Sequence, residues 1–176
     1  GSSLFGAQLA AQLGLPYAFA SHFAPAALEP ALAVYRERFK PSPRLGKPHV
    51  MLALNVVAAD TDDEAARLFT TQQQAFVNLR RGRPGLVQPP LPSASAMAEF
   101  CTPQERAGVD IALACAVIGA PETVSAGIQA FVDAHQPDEL LLTANIFDHA
   151  ARLRSFALAM DAWRSSTSKI GTDHAV

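Results

Sequence analysis

An α/β protein with parallel strands separated by helices is the fold class this sequence predicts, on three observations. The run at 49–59 (HVMLALNVVAA) is almost continuously apolar, as expected of a parallel strand covered on both faces. Shorter apolar runs at 17–21 (YAFAS), 116–119 (AVIG) and 139–143 (ELLLT) are separated by segments with helical spacing and helix-cap signals. No convincing hairpin signal joins any two of these runs, so helical crossovers are indicated instead.

Each helix has its own warrant. Residues 3–13 carry Leu4, Ala7, Ala10 and Ala11 at helical spacing, and Gly14 follows as a C′ stop. Leu28, Leu32, Tyr35 and Phe39 predict a helix over 26–39, ended by Pro41-Ser42-Pro43. Asp60-Thr61-Asp62 caps a helix reaching about Arg80, with Glu64 early and Arg80-Arg81 late, in agreement with the helix dipole. Residues 82–101 contain Gly82, Pro84, Gly85, Pro89, Pro90 and Pro92 and predict an irregular excursion, longer than most loops within compact domains. Thr102-Pro103-Gln104-Glu105 opens the next helix with a Thr cap, a Pro at the first turn and an early Glu. Pro121-Glu122-Thr123 opens another through about His135, and Asp148 caps a last one through Trp163. The Ser- and Thr-rich tail at 165–176 is expected to be disordered. Pattern alone leaves two architectures open, a doubly wound sheet and part of a (β/α) barrel.

Bulk properties narrow the partners. The chain has 176 residues, 49% of them hydrophobic and 17% charged, with mean hydropathy +0.13, enough for one domain with a sizeable core. A net charge of −2 without a basic stripe argues against nucleic acid. No apolar run reaches the roughly 18 residues of a membrane span, so no membrane is expected. Cys101 and Cys115 fit no metal-ligand spacing and read as free thiols of a reducing compartment, making the cytoplasm the expected location.

Chemistry is sought first at the opening turn and at the carboxyl ends of the strands, where ligands sit in both architectures. Gly1-Ser2-Ser3 ahead of a helix offers free backbone N–H groups and hydroxyls that suit a phosphate. The plainer alternatives are a Ser N-cap and a Gly-Ser cloning remnant. The strand-end residues are Ser21 with His22, Asn55, Gly119 with Pro121, and Asn145 with Asp148 and His149. Ser21 and His22 are adjacent on a strand and point to opposite faces, and no G-x-S-x-G elbow exists, so a hydrolase is disfavoured. The five histidines show no ligand spacing, and no metal site is expected. His22 and His149 are kept as candidates, while Asp148 reads as an N-cap with Arg152 as its partner one turn on. The stripe Phe147, Leu153, Phe156, Met160 and Trp163 reads as core packing. There is no G-x-G-x-x-G and no Walker A pattern.

Several segments carry a resemblance beyond these patterns. GSSLFGAQLAA (1–11), GLPYAFASHFAP (14–25), TTQQQAFV (70–77) with LRRG (79–82), and IFDHAARLRSF (146–156) resemble the luciferase-like flavin monooxygenases, most closely the alkanal monooxygenase-like bacterial members. The resemblance covers nearly the whole chain to about Trp163. It implies the C-terminal half of a (β/α)8 barrel over residues 1–164, beginning just after the fifth strand. It further implies FMN as cofactor, with reduced flavin supplied by a separate NAD(P)H-dependent reductase, and O2-dependent oxidation of a small organic substrate. By position it assigns the flavin phosphate to Gly1, Ser2 and Ser3 with the N–H groups near Leu4 and Phe5, and places His22 in the pocket lining without a chemical step. Residues 82–101 fall where the family carries an insertion that covers the active site, which suggests a lid. Positions contacting the flavin ring and substrate lie largely in the N-terminal half. A half barrel leaves strand edges and an apolar interior open, so pairing with that half or a homo-oligomer is expected, and little monooxygenase activity in isolation. The other reading is a non-catalytic structural or binding remnant that self-associates.

Overall fold

A computed structural model of the chain describes residues 1–170, with side chains through Ser165. The strands are Tyr17–Phe19 (β1), Val50–Ala58 (β2), Ala116–Gly119 (β3) and Glu139–Thr143 (β4). The helices are Leu4–Leu13 (α1), Leu28–Arg38 (α2), Asp62–Arg80 (α3), Met97–Phe100 (α4), Pro103–Ala112 (α5), Pro121–His135 (α6) and His149–Ile170 (α7). β1 and β4 each run parallel to β2, and the architecture is the expected one, α/β, the C-terminal portion of a (β/α)8 barrel. Among the described residues no helix is long and apolar enough to cross a membrane. Contacts divide the chain into two compact units, with β2 passing from one to the other after Asn55.

The first unit comprises Gly1–Asn55, Ile111–Cys115 and Val132–Thr143. Tyr17, Ala18 and Phe19 stand opposite Val50, Met51 and Leu52, and Met51 to Asn55 stand opposite Glu139 to Thr143. Because side chains alternate along a strand, this register sorts the residues into two faces. Tyr17, Phe19, Val50, Leu52 and Leu54 form the buried face. Ala18, Met51, Ala53, Leu141 and, at the carboxyl end, Asn55 with Thr143 form the other. Behind the buried face, Tyr35 of α2 stacks tilted on Tyr17 with ring centroids 5.1 Å apart. The Tyr35 hydroxyl is satisfied, donating to the Leu15 carbonyl at 2.8 Å and accepting from the His49 N–H at 3.1 Å. Gly14 ends α1 at φ 60°, and a Cβ there would stand 2.5 Å from the Lys40 carbonyl, so only glycine fits.

The second unit comprises residues 56–110, 116–131 and those from 144 onward. Thr61 caps α3 by accepting the Glu64 N–H, as its sequence suggests. Along α3, Ala65, Leu68, Phe69 and Val77 are buried, but so is the polar run Thr70 to Gln74. Three of these side chains hold backbone. Thr71 donates to the Gln88 carbonyl at 3.2 Å, Gln74 donates to the Pro89 carbonyl at 2.9 Å, and the Leu91 N–H donates to Thr70 at 2.8 Å. Residues 88–91 are therefore strapped to the helix, their backbone groups satisfied by side chains where Pro89 and Pro90 exclude a ladder. Ser155 of α7 accepts the Ala58 N–H at 2.9 Å, closing the end of β2.

Several elements differ in extent from the sequence reading. β1 stops at Phe19 rather than Ser21, because the Ser21 side chain takes over the ladder bonds to Ala53. The helix expected over 26–39 is a 3-10 turn, Pro25–Ala27, followed by α2. The irregular segment contains a 3-10 turn, Ala94–Ala96, and the one-turn α4. α7 continues past Trp163 to Ile170, through the first positions of the tail expected to be disordered, while 171–176 lie outside the described residues. Asp148 does cap α7, accepting the Ala151 N–H at 2.7 Å, but the Arg152 guanidinium meets His149 Nδ1 at 2.8 Å instead of the Asp148 carboxylate.

Candidate functional site

The opening residues are placed by β1. Gly1 N–H donates to the Ala18 carbonyl at 2.6 Å and the Gly1 carbonyl accepts from the Ala20 N–H at 2.8 Å, the pattern of a parallel bridge. From there Ser2 and Ser3 lead into α1 with Ser3 extended at φ −148° and ψ 164°. Ser3 makes no side-chain cap bond and the first turn has no acidic residue. Ser2, Ser3, Leu4 and Phe5 are exposed. Amides that an N-cap would normally satisfy are thus left toward solvent beside two hydroxyls, an arrangement that suits an anion.

Gly1 also reaches a groove of about 170 Å³ in the first unit, together with Ala18, His22, Met51, Ala53 and Leu141. The lining is mostly apolar, with the imidazole as its ionisable group. His22 Nδ1 is buried without a hydrogen-bond partner among the described residues. Burial pushes the His22 pKa below the ordinary histidine value, which favours the neutral ring at pH 7. Its backbone is held more firmly than its ring, since the Asn55 side-chain amide donates to the His22 carbonyl at 2.9 Å. The preceding residue, Ser21, is fully buried, donating to the Ala53 carbonyl at 2.5 Å and accepting from the Ala53 N–H at 3.1 Å. Those bonds occupy its hydroxyl in structure, in keeping with the argument against a nucleophile.

Of the six residues singled out for cofactor binding, Gly1 and His22 share the groove, and Ser2, Ser3, Leu4 and Phe5 form the exposed turn that follows Gly1. Thr143 was not singled out, yet its hydroxyl donates to Asn55 Oδ1 at 2.9 Å. The signal available was its place as the polar end of an otherwise apolar run. What it pairs with depended on strand register.

Parallel strands alternating with helices, with a groove along one strand face of the first unit, define a protein of the α/β class. The chain belongs to the luciferase-like monooxygenases, whose family model matches residues 1–135. It is 52% identical over 161 residues to a luciferase-like monooxygenase of Escherichia coli K12, covering 92% of this chain and 47% of that protein. The solved structure of apo-MsnO8 matches with a TM-score of 0.79 at 31% identity, over 93% of this chain and 49% of that one. The oxygenating constituent of 3,6-diketocamphane monooxygenase from the CAM plasmid of Pseudomonas putida, solved in complex with FMN, shares the fold at TM-score 0.54 and 22% identity, over 86% of this chain and 43% of that one. The chain spans about half the length of the curated relatives it matches.

Proposed function

We propose that this chain carries the phosphate end of a flavin mononucleotide site in a monooxygenase that oxidises a small organic substrate with O2. Reduced flavin would come from a separate NAD(P)H-dependent reductase. The observation that supports this most is the uncapped first turn of α1 beside the groove that Gly1 and His22 line. The residues present fit the group: hydroxyls and N–H groups at Ser2, Ser3, Leu4 and Phe5 suit a phosphate, and the unpartnered His22 nitrogen suits a polar group of the ribityl chain. When bound and reduced, flavin supplies the two electrons that let one atom of O2 enter substrate and the other leave as water. The chain's own share is to hold the phosphate through backbone donors, to present a neutral imidazole, and to keep the groove wall apolar.

A covering partner is part of this reading. On α1, Phe5, Leu9 and Leu13 lie at i, i+4 spacing and are 73%, 48% and 55% exposed, and Leu141 on the open strand face is half exposed. Apolar surface of this kind calls for burial by the other half of the barrel or by a second copy. The same exposure favours the alternative, a non-catalytic remnant that self-associates.

Fluorescence titration of FMN into the chain, with a Ser2→Ala/Ser3→Ala variant alongside, tests the proposal. Saturable binding weakened in the variant supports a phosphate site at the opening turn. A colourless, stable oligomer with no affinity for FMN supports the remnant. Flavin-dependent oxidation by the isolated chain would contradict the need for a covering half.

A further inference from the structure

Asn55 stands where the physics of its strand argues against it. It interrupts a nine-residue strand of otherwise apolar side chains and is 2% exposed, although asparagine is a poor strand former and a buried amide is costly unless bonded. Both ends of its carboxamide are used. Nδ2 donates to the His22 carbonyl at 2.9 Å, and Oδ1 accepts from the Thr143 hydroxyl at 2.9 Å. The direction is fixed by chemistry, because the His22 carbonyl can only accept; the amide nitrogen must face it, and Thr143 must then donate. The bond crosses from β4 through β2 to the turn after β1. Two residues earlier on β2, Ala53 grips Ser21 through both its N–H and its carbonyl. Consecutive residues 21 and 22 are thus tied to alternate positions 53 and 55 of β2, beyond the end of β1. Among the described residues the His22 ring itself, with Nδ1 unpartnered, has no comparable tether in the groove.

We propose that Asn55, oriented by Thr143, is the positioning residue that fixes His22 against the groove and thereby sets ligand affinity there. The role in affinity rests on the flavin reading given above, whereas the positioning does not. A Thr143→Val change keeps the shape and removes the donor to Asn55. Thr143→Ser keeps the donor. Asn55→Asp keeps an acceptor for Thr143 but turns a second acceptor toward the His22 carbonyl.

The test is NMR of 15N,13C-histidine-labelled full chain, with the His22 ring signal assigned by its loss in His22→Gln, combined with FMN titration of the same samples. Thr143→Val and Asn55→Asp should move the His22 signal, and Thr143→Ser should return it to the wild-type position. FMN binding should weaken about tenfold in Thr143→Val and recover in Thr143→Ser, the scale of one lost buried hydrogen bond. A His22 signal unmoved in Thr143→Val, or not restored by Thr143→Ser, overturns the proposal. So does wild-type FMN affinity in Thr143→Val. Failure of the wild-type chain to bind FMN counts instead against the flavin reading, and the histidine signals then decide the positioning alone. Should Asn55→Asp not fold, the Thr143 pair carries the comparison.

Discussion

The Asp62 carboxylate accepts the backbone N–H of Ala120 at 2.7 Å, joining the first turn of α3 to the turn between β3 and α6. The Thr123 side chain also bonds this carboxylate, and the two donors hold the Asp62 pKa below the ordinary carboxylate value. Gly119 makes the approach possible. Its φ is +155°, and a Cβ would stand 2.4 Å from Asp62 Oδ1 and 2.6 Å from Thr123. Gly119→Ala should therefore cost about 1–3 kcal/mol through backbone strain and the clash of the new Cβ with Thr123. A urea denaturation midpoint equal to that of the wild type would refute this.

Arg81 and Glu105 predict a pH dependence. The guanidinium meets both carboxylate oxygens, at 2.6 and 2.8 Å, and the Thr102 N–H adds a third donor at 2.9 Å. The Arg81 bonds first, then the Thr102 amide, hold the Glu105 pKa down to about 2. A folded-state pKa below the unfolded one means that the stabilisation is present above the unfolded value. It is lost as pH falls from about 4.5 toward 2. Comparing wild type with Glu105→Gln by thermal unfolding at pH 6 and pH 3, the gap between them should narrow at the lower pH. A gap independent of pH would exclude the ion pair as its source.

Hydrogen exchange reads the strap on α3. Pro89 and Pro90 have no N–H, so the Leu91 amide is the reporter of how firmly 88–91 is held. Thr70→Val keeps the volume and removes the acceptor of that amide. Exchange at Leu91 should quicken by about tenfold, the effect of losing roughly one net hydrogen bond. Unchanged protection would mean that packing alone holds the segment, and would remove the reason for its buried threonines.

Ser21 offers a clean separation of structure from chemistry. Ser21→Ala leaves the N–H and carbonyl of Ala53 without their partner in a fully buried place, which should cost about 1–3 kcal/mol. Chemical denaturation measures it. A substitution without effect on stability would show that water replaces the hydroxyl there.

Much of the fold was legible because local signals agreed with one another. The apolar run at 49–59 became β2, Thr61 and Asp148 became caps, and Gly14 became the left-handed stop of α1. Boundaries were less legible where side chains do backbone work. Ser21 continues the β1 ladder through its hydroxyl, and the segment read as a loop over 82–101 is partly held by Thr70, Thr71 and Gln74. A run of threonine and glutamine in a helix reads as a polar surface unless the chain it binds is known. Among the candidate residues, His22 is singled out by its place after a strand, but its tether through Asn55 to Thr143 joins residues 33 and 88 positions apart.

The sequence by itself determined the alternation of strands and helices, their caps and stops, and through its segments the family. These follow from periodicity and from short-range bonding, which act within a few residues. Only the tertiary structure decided which polar groups serve one another: Asn55 with Thr143 and His22, Asp62 with Ala120, Thr70 with Leu91. The physical reason is that a buried donor or acceptor must be satisfied by whatever the fold brings within about 3 Å. Strand register and helix placement choose that partner, and neither is written in the residues adjoining it.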